Sequence, residues 1–250
     1  MISEYMNLFI KLQYERYCKE IRKIPKLKSV IVVKNLDDWA KFESEDLYKC
    51  NYILYIDSEL ENEPNEFIEQ ILFHEFTHIA DSLRFKIFDF EKFKSIMKIY
   101  SEIYASKIQM DRMLLTESHK PYTLDKEVIY GGILTLQSFM DQTYDKLKSE
   151  FTIPDGLITT TNLKFDSNKL YYYIGFLKSL KINNIKYNKQ LNEIKVFGSL
   201  FKEICDYVLN NKVNIDVLYK YEKELTKLIK DTIEMHNKSF CEDIVNKVLQ

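Results

Sequence analysis

The sequence predicts an α+β fold, predominantly helical, with one small sheet near the N-terminus and an all-helical C-terminal portion. Three observations carry that expectation. Only 5 Gly and 4 Pro interrupt 250 residues, so helices run long and tight turns are few. Two β-branched runs fall within the first sixty residues, ahead of a segment that is apolar on nearly every helical face. Beyond residue 150 the longer segments all place apolar residues at helical spacing. Apolar residues make up 46% of the chain, with 16 Phe and 18 Tyr among them, so a large core can be buried.

Taken in order, Tyr5, Leu8, Phe9, Leu12, Tyr17 and Ile21 predict a helix over residues 3–23, closed by Pro25. Ser29 to Lys34 reads as a strand, Leu36 to Phe42 (with Trp39) as a short helix, and Asn51 to Asp57 as a second strand. Pro64 suits the first position of the next helix, and Glu66 and Glu69 sit near its positive end. That helix, about Asn65 to Leu83, carries Phe67, Ile68, Ile71, Leu72, Phe76 and Ile79 on most of its faces. A helix apolar nearly all round is a buried one. A further helix is expected from Phe90 to Leu115, then a looser stretch interrupted by Gly131-Gly132, then a helix from Thr135 to Glu150. The turn Ile153-Pro154-Asp155-Gly156 divides the chain into a unit over 1–150 and a helical region over 151–250. In the latter, Asn168–Lys181, Lys189–Asn210, Ile215–Lys238 and Cys241–Leu249 are each periodic.

Several function classes fall away. The net charge is −2 and no Arg-rich or Gly-aromatic patch is present, so direct nucleic-acid binding is not expected. Cys18, Cys50, Cys205 and Cys241 are scattered, without a Cys-x-x-Cys pair, and read as reduced thiols of an intracellular protein. Residues 1–28 are amphipathic and charged throughout, with no signal-peptide core, and no run is long enough to span a membrane. The expected location is the cytoplasm, with no membrane partner.

The chemistry concentrates in His74-Glu75-Phe76-Thr77-His78. Residues four apart on a helix share a face, so His74 and His78 can share one metal ion. Glu75, one position round, can hold the water at the metal's open position. Two imidazoles and a carboxylate on that water are the parts of a zinc hydrolase, which takes three protein ligands. Glu102 is the candidate third ligand, because Ala105 and Ser106 share its face and let two helices approach closely. Asp81 lies on the same face as the histidines and can orient an imidazole from behind. Tyr104 and His119 are candidate transition-state donors, with Tyr100, Tyr122 and Tyr130 not separable from Tyr104 on sequence alone.

These residues, His74 to Asp81 together with Ser101-Glu102-Ile103-Tyr104-Ala105-Ser106, resemble the ImmA/IrrE family of zinc metallopeptidases, compact zincins of bacteria, phages and mobile elements. The resemblance covers roughly residues 1–115 and rests on the His-Glu-x-x-His and Glu-x-x-Ala patterns. It implies a minimal zincin-like unit with Zn2+ held by His74, His78 and Glu102, and Glu75 as general base. It also implies a protein substrate inside the cell, such as a helix-turn-helix repressor, laid as an added strand along Asn51–Asp57. The chain departs from the family in lacking a fused DNA-binding domain and in its helical region beyond about residue 155. Two rival readings stand beside the intracellular protease. One is a phage-delivered or exported protease; the other is a zincin-fold docking module, with or without metal, that cleaves nothing.

Overall fold

The computed structural model describes residues 2–44, 50–115, 123–130, 132–153, 156–158, 166–189 and 191–248. The elements run α1 (Glu4–Glu20), β1 (Ser29–Val33), β2 (Ala40–Ser44), β3 (Tyr52–Asp57), α2 (Asn65–Phe85), α3 (Phe90–Ile96), α4 (Glu102–Leu114), β4 (Glu127–Ile129), β5 (Ile133–Thr135), α5 (Leu136–Glu150), α6 (Ser167–Ile182), α7 (Gly198–Asn210) and α8 (Ile215–Val248). Helix accounts for 66% of the described residues, against sheets of three and two strands. The class is therefore α+β and predominantly helical, in keeping with the glycine-poor, proline-poor composition.

Local chemistry starts four of the eight described α-helices. Ser3, Asp89, Thr135 and Asp166 each accept a backbone N–H at the start of α1, α3, α5 and α6, which satisfies donors a helix leaves unpaired. α2 has no such side chain; Pro64 stands at its cap, one place ahead of the expected position. Its stability comes instead from burial. Phe67, Leu72, Phe73, Phe76 and Ile79 are all fully inaccessible, each contributing about 1.5–3 kcal/mol of transfer free energy.

The sheet corrects two expectations. Its order is β1-β3-β2, with β1 parallel and β2 antiparallel to β3. Residues 40–42, expected to end a short helix, lie in β2, where Ala40 pairs with Ile56, Phe42 with Leu54 and Ser44 with Tyr52. Leu36, Trp39 and Phe42 recur every third residue and so imitate a helix. The alternation of Lys41 and Glu43 outward against Ala40 inward obeys the strand period instead. β3, expected as the edge on which a substrate lies, is the middle strand and is buried on both faces. The edge beside the functional cleft is β2.

Other departures are smaller. The helix expected over Phe90–Leu115 is present but broken by a π-helical turn at Met97–Ser101, directly before Glu102. The looser stretch before α5 contains a hairpin, β4 paired with β5, with Gly132 at φ +145°. Gly131 lies outside the described residues. The last two periodic segments form one continuous α8 of 34 residues, because Ser239 and Phe240 do not break the helix.

Two hydrophobic clusters fill the interior. One takes in Met6 through Ala80 together with Ile108, and the other runs from Ile99 to Leu225. The second spans residue 150, so α4 and α5 pack with the C-terminal helices rather than apart from them; Pro154 and Asp155 of the expected boundary lie outside the described residues. α4 is sandwiched between α2 and α6. At its crossing with α6 the chain carries Gly175, where a Cβ would sit 2.4 Å from Ile103 O and 2.7 Å from Ser106 Cβ. The small residues of α4 thus admit α6 as well as α2. Among the described residues no helix is long and apolar enough to cross a membrane.

Candidate metal centre

One turn apart on α2, His74 and His78 turn their rings edge to face, with Nε2 atoms 2.9 Å apart. The carboxylate of Glu102 reaches across from the first residue of α4. Its Oε1 is 3.5 Å from His74 Nε2 and its Oε2 is 3.5 Å from His78 Nε2. Ligand atoms of all three lie within 4.8 Å of one another. A tetrahedral ion with bonds of ~2.1 Å spaces its ligand atoms by ~3.4 Å, so each of these pairs falls within about half an ångström of that edge. The sequence-predicted ligand trio is brought together at one point.

The π-helical turn is what aims Glu102. A single extra residue in the helical repeat rotates every residue beyond it, and such bulges recur at functional sites. The same turn presents Ser101, whose Oγ is 2.8 Å from His78 Nδ1. With Nδ1–H donating to Ser101, Nε2 of His78 is left as an acceptor toward Glu102. Asp81 is a near neighbour of Ser101, but neither of its carboxylate oxygens has a hydrogen-bond partner of acceptable geometry among the described residues. The carboxylate expected behind the histidines thus stands near His78 without a bonded link to it. Asp81 is fully buried with Arg22 3.6 Å away, and burial pushes its carboxyl up to about 7 against the pull of Arg22.

Glu75 is buried beside the trio, and its Oε2 accepts the backbone N–H of Phe42 at 3.1 Å. That N–H belongs to the free edge of β2, which explains why the strand, and not a helix, matters at this position. Burial raises the Glu75 carboxyl well above its ordinary range, Glu102 and Asp38 raise it further, and the Phe42 N–H opposes them. Burial, with Asp166 and Asp38, lifts Glu102 to about 8. Burial lowers His74 well below the usual imidazole value, helped by His78 and opposed by Gln109, and lowers His78 to about 4. Without a cation these groups are thus driven toward their neutral forms. Buried neutral imidazoles and clustered acids are the donor set that a divalent ion satisfies, because its charge reverses the penalty on the carboxylate. The residues fit a zinc ion.

The trio opens into a cleft of about 400 Å³, with Asp38 to Phe42 along one wall and Tyr130, Phe139 and Tyr172 among the groups on the others. Tyr172 comes from α6, in the C-terminal region, and its ring centroid lies 5.4 Å from that of His74. Its hydroxyl bonds Gln109 Oε1, and Tyr130 lines the same cleft beside it. Tyr104, by contrast, stacks on Tyr100 at 6.0 Å and packs against the N-terminal cluster; it is not a lining group of the cleft. His119 and Tyr122 lie outside the described residues.

Four contributors have no counterpart among the sequence-predicted residues: Ser101, Gln109, Tyr172 and the Phe42 N–H. Gln109 was within reach, since it stands seven residues after Glu102 and shares its helix face. Nothing in the run Tyr171-Tyr172-Tyr173 singles out its middle member. Comparison of the chain with protein families, with curated proteins and with solved structures gives no match.

Proposed function

We propose that the chain is a zinc-dependent endopeptidase acting on a specific protein in the cytoplasm. The observation that carries this reading is the convergence of His74, His78 and Glu102 within 4.8 Å, with the buried Glu75 in the same cleft. His74 Nε2, His78 Nε2 and the Glu102 carboxylate would hold the ion. Bound there, zinc supplies Lewis acidity and acidifies a water.

The chain's own residues do the rest. Glu75 Oε2 is occupied by the Phe42 N–H, which leaves Oε1 to take the water's proton and pass it to the leaving amine. A carboxyl whose proton affinity is raised by burial suits that transfer near neutral pH. β2 is the edge strand along the cleft, with its Phe42 N–H taken by Glu75. An extended peptide would add to the remaining groups of that edge, in the same cleft as the trio. Ile71, Tyr130 and Phe139 contribute apolar surface to the cleft lining. The resemblance to the ImmA/IrrE family supplies the substrate class, an intracellular protein, with a helix-turn-helix repressor the first to test.

Purified protein is expected to carry about one zinc per chain. Glu75→Gln keeps the metal and lowers cleavage at least ~10²-fold, whereas His74→Ala and Glu102→Ala lose both metal and cleavage. A Glu75→Gln chain that retains its full biological effect would instead make this a docking module.

A further inference from the structure

His74 poses a problem that the ligand trio does not solve. Its Nε2 faces His78 and Glu102, so a metal takes that nitrogen and the ring proton must sit on Nδ1. Yet Nδ1 is buried and has no hydrogen-bond partner of acceptable geometry among the described residues. The group beside it is Gln109, which lines the same cleft and lies close enough to act on the His74 ring. Gln109 is itself fully buried, and its Nε2 also lacks a partner while its Oε1 takes the Tyr172 hydroxyl. Two orphaned buried nitrogens in adjacent side chains leave two donors unmade where one acceptor between them would serve. Histidine ligands of metals almost always donate their second N–H to an acceptor; His78 has Ser101 for this.

A half-turn of the Gln109 carboxamide about its last torsion resolves both orphans. The two ends of the amide are nearly isosteric, so the turn exchanges oxygen for nitrogen without new bulk. The oxygen then accepts Nδ1–H of His74. The nitrogen then donates to the Tyr172 oxygen, which frees the Tyr172 hydroxyl proton to point into the cleft, where Tyr130 is its other neighbour.

Resting on the zinc reading above, we propose that Gln109 is the positioning residue of the metal centre, fixing the His74 tautomer through its carbonyl and turning the Tyr172 hydroxyl proton toward the substrate through its amide. The C-terminal region is thereby part of the site, since Tyr172 belongs to α6.

The test uses the full chain with zinc alone, by competition with a chromophoric chelator. Gln109→Leu is expected to bind zinc ~10–100-fold more weakly than the parent, and Tyr172→Phe to bind within about threefold, because Tyr172 acts on the substrate side. In the parent's zinc form, nitrogen-15 ring spectra are expected to show a slowly exchanging Nδ1 proton on His74, assigned by its contacts to the Tyr172 ring, and its loss in Gln109→Leu. Zinc affinity unchanged in a folded Gln109→Leu overturns the proposal. So does a rapidly exchanging His74 Nδ1 proton in the parent, a measurement that needs no variant to fold. A parent chain that binds zinc no better than His74→Ala instead defeats the zinc reading itself, which keeps the two failures apart.

Discussion

Replacing Gly175 by alanine tests how tightly the two halves of the protein are joined at the site. The added Cβ would meet Ile103 O at 2.4 Å, Ser106 Cβ at 2.7 Å and Lys107 N at 2.9 Å, where ordinary contact begins near 3.4 Å. Two of the three obstacles are backbone atoms of α4, so no side-chain rotation relieves them. α6 must back away by about 1 Å, the difference between 2.4 and 3.4 Å. Alanine in place of glycine inside a helix gains about 1 kcal/mol, while overpacking of this kind costs roughly 3 kcal/mol. The net loss is about 2 kcal/mol, or about 4–8 °C in melting temperature for a chain of this size. The same movement carries Tyr172 away from His74, and a displacement of about 1 Å near reacting groups costs ~10²-fold in turnover. Thermal unfolding by circular dichroism and cleavage assays on the zinc-loaded variant read the two effects. A Gly175→Ala chain that melts within about 1 °C of the parent has lost well under 1 kcal/mol, and that result refutes the close-crossing argument.

The candidate metal centre and the buried side chains around it yield further expected outcomes. Ser101→Ala removes the Oγ that accepts His78 Nδ1–H and is expected to weaken zinc binding ~10-fold or more, read by chelator competition, with Ser101→Thr retaining it. Glu102 is raised to about 8 in the metal-free chain while His78 is lowered to about 4. At pH 7 the acid is therefore mostly protonated and the imidazole already neutral, so zinc uptake should release a proton from Glu102 and strengthen as pH rises toward 8. Titration calorimetry in buffers of differing ionisation enthalpy measures that release, and none at pH 7 contradicts the assignment. Arg112 is buried over the Phe73 ring, bonds Glu20 and lies 3.7 Å from Glu69. Arg112→Ala leaves its acids partly solvated, so a loss of about 2 kcal/mol is expected in chemical denaturation. Cys205 is buried, with its thiol pushed up to about 12, whereas Cys241 is exposed. Iodoacetamide at pH 8 should label Cys241 in the folded chain and reach Cys205 only after unfolding.

How far the sequence exposed this arrangement depended on whether a residue's partners are local. His74 and His78 are one turn apart, so helical periodicity alone put their rings together. Glu102 required one long-range assumption, that a small-residue face allows close approach, and its carboxylate does reach the histidines. Phe42 was lost because spacing by three imitates a helix, and only pairing with β3 decides otherwise. Ser101 was hidden by a π-helical turn, whose extra residue no periodic template contains. Tyr172 could not be found, since its place depends on the α4–α6 crossing, and that crossing depends on Gly175. The chain's class was readable from composition, whereas the walls of its cleft were decided by contacts distant in sequence.

The position of α4 between two cores also bears on the order in which the protein can be completed on the ribosome. Chains emerge N-terminus first, and domains tend to fold as they appear. When α1, the sheet and α2 have left the tunnel, α4 can dock through Ile108, but its opposite face, with Ile103, Met110 and Met113, belongs to the later cluster. That face stays uncovered until α6, ending at Ile182, has been synthesised. Gly175 then lets α6 close over it and brings Tyr172 to the cleft. A nascent chain therefore holds the histidine pair and Glu102 long before it holds a finished cleft, whose wall from α6 is added only when translation is well advanced.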